Sequence, residues 1–250
     1  MSFVPSLTPA TLLRQLTSAS LDLIFPPACA SCGCIGHLIC PRCAQLVEPT
    51  PPAICYRCGR VQETAVEQCA VCARDASSPL HRVRAAGLYV APLRDFIHLL
   101  KYEQRPDLAG PLSRYLVAAL AQPDWNDLRD RFDAVAPIPL HRERRKERGY
   151  NQSELLALGL SQRSGIPLRA DLLQRVKATR SQVGLTAIER RVNVEDAFVA
   201  SPACTNRHLL LVDDVYTTGA TLTACAQAAR AAGALLVCGL TLAIPSHASL

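Results

Sequence analysis

Four Cys-x-x-Cys pairs, Cys29/Cys32, Cys40/Cys43, Cys55/Cys58 and Cys69/Cys72, crowd one stretch near the start of the chain. Each pair places two sulfurs on one tight turn where both can face a single ion. Repeated pairs at these spacings therefore point to tetrahedral thiolate zinc sites. Sequential pairing gives one structural zinc to Cys29, Cys32, Cys40 and Cys43, with seven residues between the pairs. It gives a second to Cys55, Cys58, Cys69 and Cys72, with ten between. An interleaved arrangement, first pair with third and second with fourth, uses the same ligands; the sequential one is favoured because each short loop closes locally. Gly59, directly after Cys58, supplies the positive φ such a turn often needs. Cys34 and His37 are spare potential ligands, read as bystanders. Thioredoxin-type redox chemistry is the competing reading, but the region lacks the strand–helix–strand pattern that such a motif requires. Cys204, Cys225 and Cys238 sit in or near apolar segments and read as small core residues.

The chain as a whole is globular in character. Its 250 residues are ample for a buried core, and 49% apolar against 19% charged residues excludes a disordered chain. Aromatics at 5% argue against a binding surface built on stacked rings. The net charge of +6 suits anionic ligands without establishing nucleic-acid binding. No uncharged apolar run reaches about 18 residues, so no membrane insertion is expected. The opening MSFVPSLTPATLLRQLTSASLDLIF has no basic region ahead of its apolar part, and Arg14 interrupts it. No secretory signal is expected, and the cytoplasm, which keeps thiols reduced, is the expected location.

Leu12, Leu13, Leu16, Leu23 and Ile24 follow Thr8-Pro9 at helical spacing, predicting a helix within residues 1–27. A double zinc ribbon is expected over 28–74, then a linker containing RDASSP, then a domain over 81–250. In that last part, strands at 83–90, 133–140, 208–212 and 235–244 alternate with helices at 93–102, 108–120, 151–163 and 218–232. Such alternation predicts an α/β fold with a mainly parallel sheet. His208–Val212 is an apolar run of the kind buried on both faces of such a sheet. Arg142–Arg148 reads as a charged loop, either solvated or in contact with phosphate.

The segment HLLLVDDVYTTGATL, His208–Leu222, carries the most chemical information. A buried strand runs into two acids, a turn of small residues and a helix. The turn offers backbone N–H groups and threonine hydroxyls at a helix N-terminus, where a phosphate is favoured. Acids beside a phosphate cradle need hydroxyls or a cation for company, and a ribose 5-phosphate with Mg²⁺ provides both. Walker and Rossmann glycine patterns are absent.

VDDVYTTGAT resembles the 5-phosphoribosyl-1-pyrophosphate motif of type I phosphoribosyltransferases. Together with the cysteine pairs, PIPLHRERRKERGYNQSELLA and TRSQVGLTAIERRVNVEDAF, it resembles the ComF family of competence proteins, also called the GntX type. The resemblance implies a phosphoribosyltransferase-like domain behind a double zinc ribbon, and a link to natural transformation. It implies that Asp213 and Asp214 hold the ribose hydroxyls and organise magnesium. Thr217, Thr218, Gly219, Ala220 and Thr221 would wrap the 5-phosphate. Arg148, Gly149, Tyr150, Asn151 and Gln152 would form the pyrophosphate loop, and Arg180, Ser181 and Gln182 part of a closing loop. Arg148 and Arg180 would then steady a departing pyrophosphate while the acid pair faces the ribose. Candidate partners are phosphoribosyl pyrophosphate or a related phosphosugar, single-stranded DNA and a competence helicase. The alternatives are an active phosphoribosyltransferase on an unidentified acceptor, and a zinc-ribbon adaptor for DNA-processing partners.

Overall fold

The computed structural model describes residues 26–75, 77–177 and 196–246. The apolar positions of the expected N-terminal helix and the segment Arg180–Gln182 lie outside the described residues. Contacts divide the chain into two compact units, with the division between Gln45 and Leu46.

In the first unit, residues 28–40 fold on a turn held by Cys29 N donating to Cys34 O (2.8 Å) and Gly33 N donating to Cys29 O (2.8 Å). A short helix, α1 (Pro41–Gln45), follows.

The second unit begins with the remaining cysteines and the short helix α2 (Ala70–Arg74). Its α/β part runs β1 (Arg82–Leu88), α3 (Leu93–Tyr102), α4 (Ala109–Leu120), β2 (Ala134–Pro137), α5 (Arg142–Arg148) and α6 (Gln152–Ser164). A small antiparallel pair, β3 (Leu173–Arg175) and β4 (Phe198–Ala200), precedes β5 (His208–Val215), α7 (Ala220–Ala231) and β6 (Leu236–Ile244). Among the described residues β1, β6, β5 and β2 form one sheet in that order, and every neighbouring pair is parallel. The central strands explain their own position. Leu209 to Val212 in β5 and Val237 to Ile244 in β6 are buried throughout, as strands covered on both faces must be. β2 lies at the edge, where the missing N–H of Pro137 does least harm to the ladder.

The β3–β4 pair has no counterpart in the sequence reading, and one segment read as a loop differs. Arg142–Arg148 is helical rather than a loop. RERRKER has no apolar periodicity to announce a helix; its ends define it instead. His141 Nδ1 accepts from Glu143 N (3.4 Å), and Gly149 closes the helix in the left-handed region at φ 82°.

The second cysteine group is built onto this sheet. Arg57 O accepts from Val83 N (2.9 Å), Glu48 O accepts from Leu88 N (2.9 Å), and Thr50 Oγ1 donates to Ala85 O (2.8 Å). Residues 48–57 thus satisfy backbone groups of β1 that face away from β6. Cys55, Cys58, Cys69 and Cys72 share one buried cluster with Val83, Leu209, Tyr216 and Leu222.

Candidate functional site

In the second unit the sulfurs of Cys55, Cys58, Cys69 and Cys72 all lie within 4.8 Å of one another and are buried. Cys58–Cys69 and Cys55–Cys72 are 3.7 and 3.9 Å apart. A tetrahedron of sulfurs at the usual Zn–S distance of ~2.3 Å has edges of ~3.8 Å, so this group fits zinc. Cys69 N donates to Cys55 Sγ (3.2 Å), the kind of bond that steadies a thiolate.

The first group is also sequential, but its membership differs. Cys29, Cys32, Cys34 and Cys40 bring their sulfurs within 4.8 Å of one another. Cys34, read as a bystander, stands where Cys43 was expected. The reason is the turn: Gly33 and Gly36 take φ of 74° and 97°, which folds the loop back and returns Cys34 to the group. Cys43, on α1, is buried, and its thiol meets those of Cys32, Cys40 and Cys29. Cys32 and Cys40 lie 3.6 Å apart, again a tetrahedral edge. Five thiols therefore converge on a place for four.

The second feature is a cleft of about 430 Å³ at the carboxyl ends of β2 and β5, where ligands bind in open α/β sheets. The strand β5 delivers Asp213 and Asp214, and Thr217 to Thr221 curve round its floor into α7. Gly219 takes φ 83°, and a Cβ there would lie 2.6 Å from the Tyr216 hydroxyl oxygen, so only glycine fits this turn. Thr218 Oγ1 accepts from Ala220 N (3.3 Å) at the start of the helix.

The two acids are held differently. Asp213 Oδ1 accepts from Ser153 Oγ (2.8 Å) and from Asp214 N (2.9 Å). Burial, and then the neighbouring Asp214 charge, push its carboxyl up to about 7, against the pull of Lys101 and Ser153. Asp214 Oδ1 pairs with Lys101 Nζ at 2.7 Å. Burial opposes the Lys101 charge, but Asp214 outweighs it and holds the ammonium above its ordinary pKa. Asp214 Oδ2 is buried without a hydrogen-bond partner. An orphaned carboxylate oxygen beside a second acid suits a hard cation or a ligand hydroxyl, so the donor set fits Mg²⁺.

Cations face these acids from other elements. Lys101 comes from the end of α3, Arg144 and Arg148 from α5, and Arg175 from β3. Arg148 bonds Gln152 Oε1, and its guanidinium lies 5.4 Å over the Tyr102 ring. The expected pyrophosphate loop is divided in role. Arg148 lines the cleft, whereas Gly149 ends α5 and Tyr150 donates to Leu100 O (2.5 Å). Asn151 caps α6, its Oδ1 accepting from Ser153 N (3.1 Å) and its Nδ2 donating to Ile138 O (3.0 Å). Lys101 and Ser153 escaped sequence reasoning because each lies far along the chain from the acids it meets. The only signal for Lys101 was a lysine in the last turn of an apolar helix, which is ordinary.

A parallel sheet with an acid pair and a glycine turn at its carboxyl edge, and two four-cysteine groups, defines an α/β protein with an N-terminal double zinc ribbon. Residues 20–77 match the family described as the Double zinc ribbon domain. The chain is 31% identical to the DNA utilization protein YhgH of Escherichia coli strain K12 over 219 residues, covering 86% of this chain and 96% of that protein. It is 31% identical to Competence protein F of Haemophilus influenzae over 209 residues, covering 80% and 90%. Competence protein ComFC of Bacillus subtilis is 28% identical over 189 residues, covering 68% and 74%. Among solved structures, the glutamine phosphoribosylpyrophosphate amidotransferase of B. subtilis, complexed with ADP and GMP, superposes with a TM-score of 0.39 and 18% identity. That match covers 58% of this chain and 30% of the other. The chain belongs to the ComF family of competence and DNA utilization proteins, and this membership supports a role in DNA uptake. Among the described residues no helix is long and apolar enough to cross a membrane.

Proposed function

We propose that this chain is a cytoplasmic accessory protein of DNA uptake that binds phosphoribosyl pyrophosphate with Mg²⁺ in the cleft beside β5. The observation that carries the reading is the orphaned, buried oxygen of Asp214 next to Asp213, set against a glycine turn that opens a twelve-residue helix. Asp213 and Asp214 would face the ribose hydroxyls and Mg²⁺, and the Thr217–Thr221 turn the 5-phosphate. Arg148 and Lys101 would face the pyrophosphate. Bound Mg²⁺ would supply charge neutralisation for the diphosphate.

The test is calorimetry with phosphoribosyl pyrophosphate and Mg²⁺. Asp213→Asn with Asp214→Asn removes the charged acceptors while keeping shape. Hydrogen bonds to charged groups are worth about 1.5–3 kcal/mol, so binding should weaken at least tenfold. Equal affinity in parent and double variant sinks the reading.

A second activity, contact with single-stranded DNA, is favoured by the placement of α5. Arg144 and Arg148 line the main cleft, and Arg142 and Arg145 line an adjacent one of about 330 Å³. The helix thus presents guanidinium groups on both sides, as a surface that follows a phosphodiester backbone would.

A further inference from the structure

The knuckle of the second cysteine group does more than place its thiols. Directly after Cys58, Gly59 takes φ 71°, and a Cβ there would lie 2.5 Å from Val83 O, so the knuckle is pressed against the backbone of β1. The next residue, Arg60, is buried at 8% exposure, and its Nη2 donates to Thr218 O at 2.6 Å across 158 positions of sequence. Its guanidinium also lies 5.5 Å over the ring of Tyr216, itself 5% exposed. The hydroxyl of that tyrosine packs against Gly219. One arginine from the zinc module therefore grips the phosphate turn twice, at the Thr218 carbonyl and through Tyr216.

This grip has a geometric result. The peptide joining Thr218 to Gly219 is planar, with its C=O and N–H directed oppositely. Anchoring the Thr218 carbonyl on Arg60 fixes the Gly219 N–H in the other direction. A turn freed from Arg60 could rotate that peptide and offer an oxygen where an anion needs a donor. A guanidinium is suited to the task because it donates to a carbonyl while its face lies on a ring.

We propose that Arg60 is a positioning residue that makes the phosphate turn at Thr217–Thr221 conditional on a loaded second cysteine group. Zinc at Cys55, Cys58, Cys69 and Cys72 fixes the knuckle, the knuckle fixes Arg60, and Arg60 fixes the turn. The expectation for phosphate ligands rests on the cleft being the site proposed above; the coupling itself does not.

The experiment is amide hydrogen exchange on the full chain, with zinc content measured in parallel. In Arg60→Gln, zinc content should match the parent, the amides of β5 and β6 should exchange as in the parent, and those of residues 217–221 should exchange at least tenfold faster. Arg60→Lys, which keeps a donor but loses the planar face, should fall between. Chelating zinc from the parent should also speed residues 217–221, and chelating Arg60→Gln should add nothing further at these amides. Parent-like exchange of the turn in Arg60→Gln overturns the proposal. So does loss of zinc in that variant, or a general acceleration through β5 and β6 on chelation, since the ribbon would then merely hold the fold together. Calorimetry with phosphoribosyl pyrophosphate forms a separate arm. Arg60→Gln should bind at least tenfold more weakly than the parent; a parent that does not bind at all refutes the ligand assignment and leaves the exchange result to decide the coupling.

Discussion

Lys101 is the residue that balances the charge of the acid pair. It retains 20% side-chain exposure while Asp214 retains 5%, so the pair is largely withdrawn from water. Removing one member of a buried pair strands the other charge, at a cost of about 3–5 kcal/mol. Lys101→Met should therefore destabilise the chain by about 3 kcal/mol in denaturant melts without divalent ions, at the lower end because the lysine is partly wet. Mg²⁺ should restore more stability to this variant than it adds to the parent, since a bound cation would take over the role of counter-ion. A variant as stable as the parent, with no larger response to Mg²⁺, would show that Lys101 does not act as the counter-charge of Asp214. The residue scale is also where sequence reading reached least far. Asp213 and Asp214 were visible because a buried apolar run led straight into them. Lys101, Ser153 and Arg60 were not, because their partners are set by sheet topology rather than by neighbours in the chain.

At the scale of elements, the four cysteine pairs and the main strands and helices were legible because their signals are local. Spacing identified the second thiolate group in full and three members of the first, and α3 matches its expected range, Leu93–Tyr102. The part of the first ribbon that was not legible is the identity of the fourth ligand. Spacing says that Cys43 belongs to a pair; it does not say that two left-handed glycines will return the exposed Cys34 to the group. Five converging thiols predict redundancy. Cys34→Ser and Cys43→Ser should each retain about two zincs per chain by elemental analysis, and the double variant should lose about one. A full loss from either single change would identify that cysteine as indispensable and remove the redundancy. The helix α5 was missed for the opposite reason: its sequence is wholly charged, and only its end groups define it.

For the whole molecule, the net charge of +6 bears on contact with nucleic acid. If α5 carries that contact, affinity for a labelled single-stranded oligonucleotide should fall with salt, at a logarithmic slope of roughly 0.7 per phosphate neutralised. Replacing Arg144, Arg145 and Lys146 with Ala should lower both the affinity and the slope without changing zinc content. Fluorescence anisotropy at several salt concentrations measures both quantities. Binding untouched by the triple change would move the contact away from α5.

The order of strands has a consequence for how the chain is made. Within the sheet β1 pairs with β6, the last strand of the described chain, yet it leaves the ribosome long before β6 exists. Contacts so distant in sequence form late, and an unpaired strand is exposed to wrong partners in the interval. Residues 48–57, however, are synthesised just ahead of β1 and bond its other side. The metal-binding segment is thus available as a chaperone in cis, occupying one edge of the nascent strand until its permanent neighbour arrives.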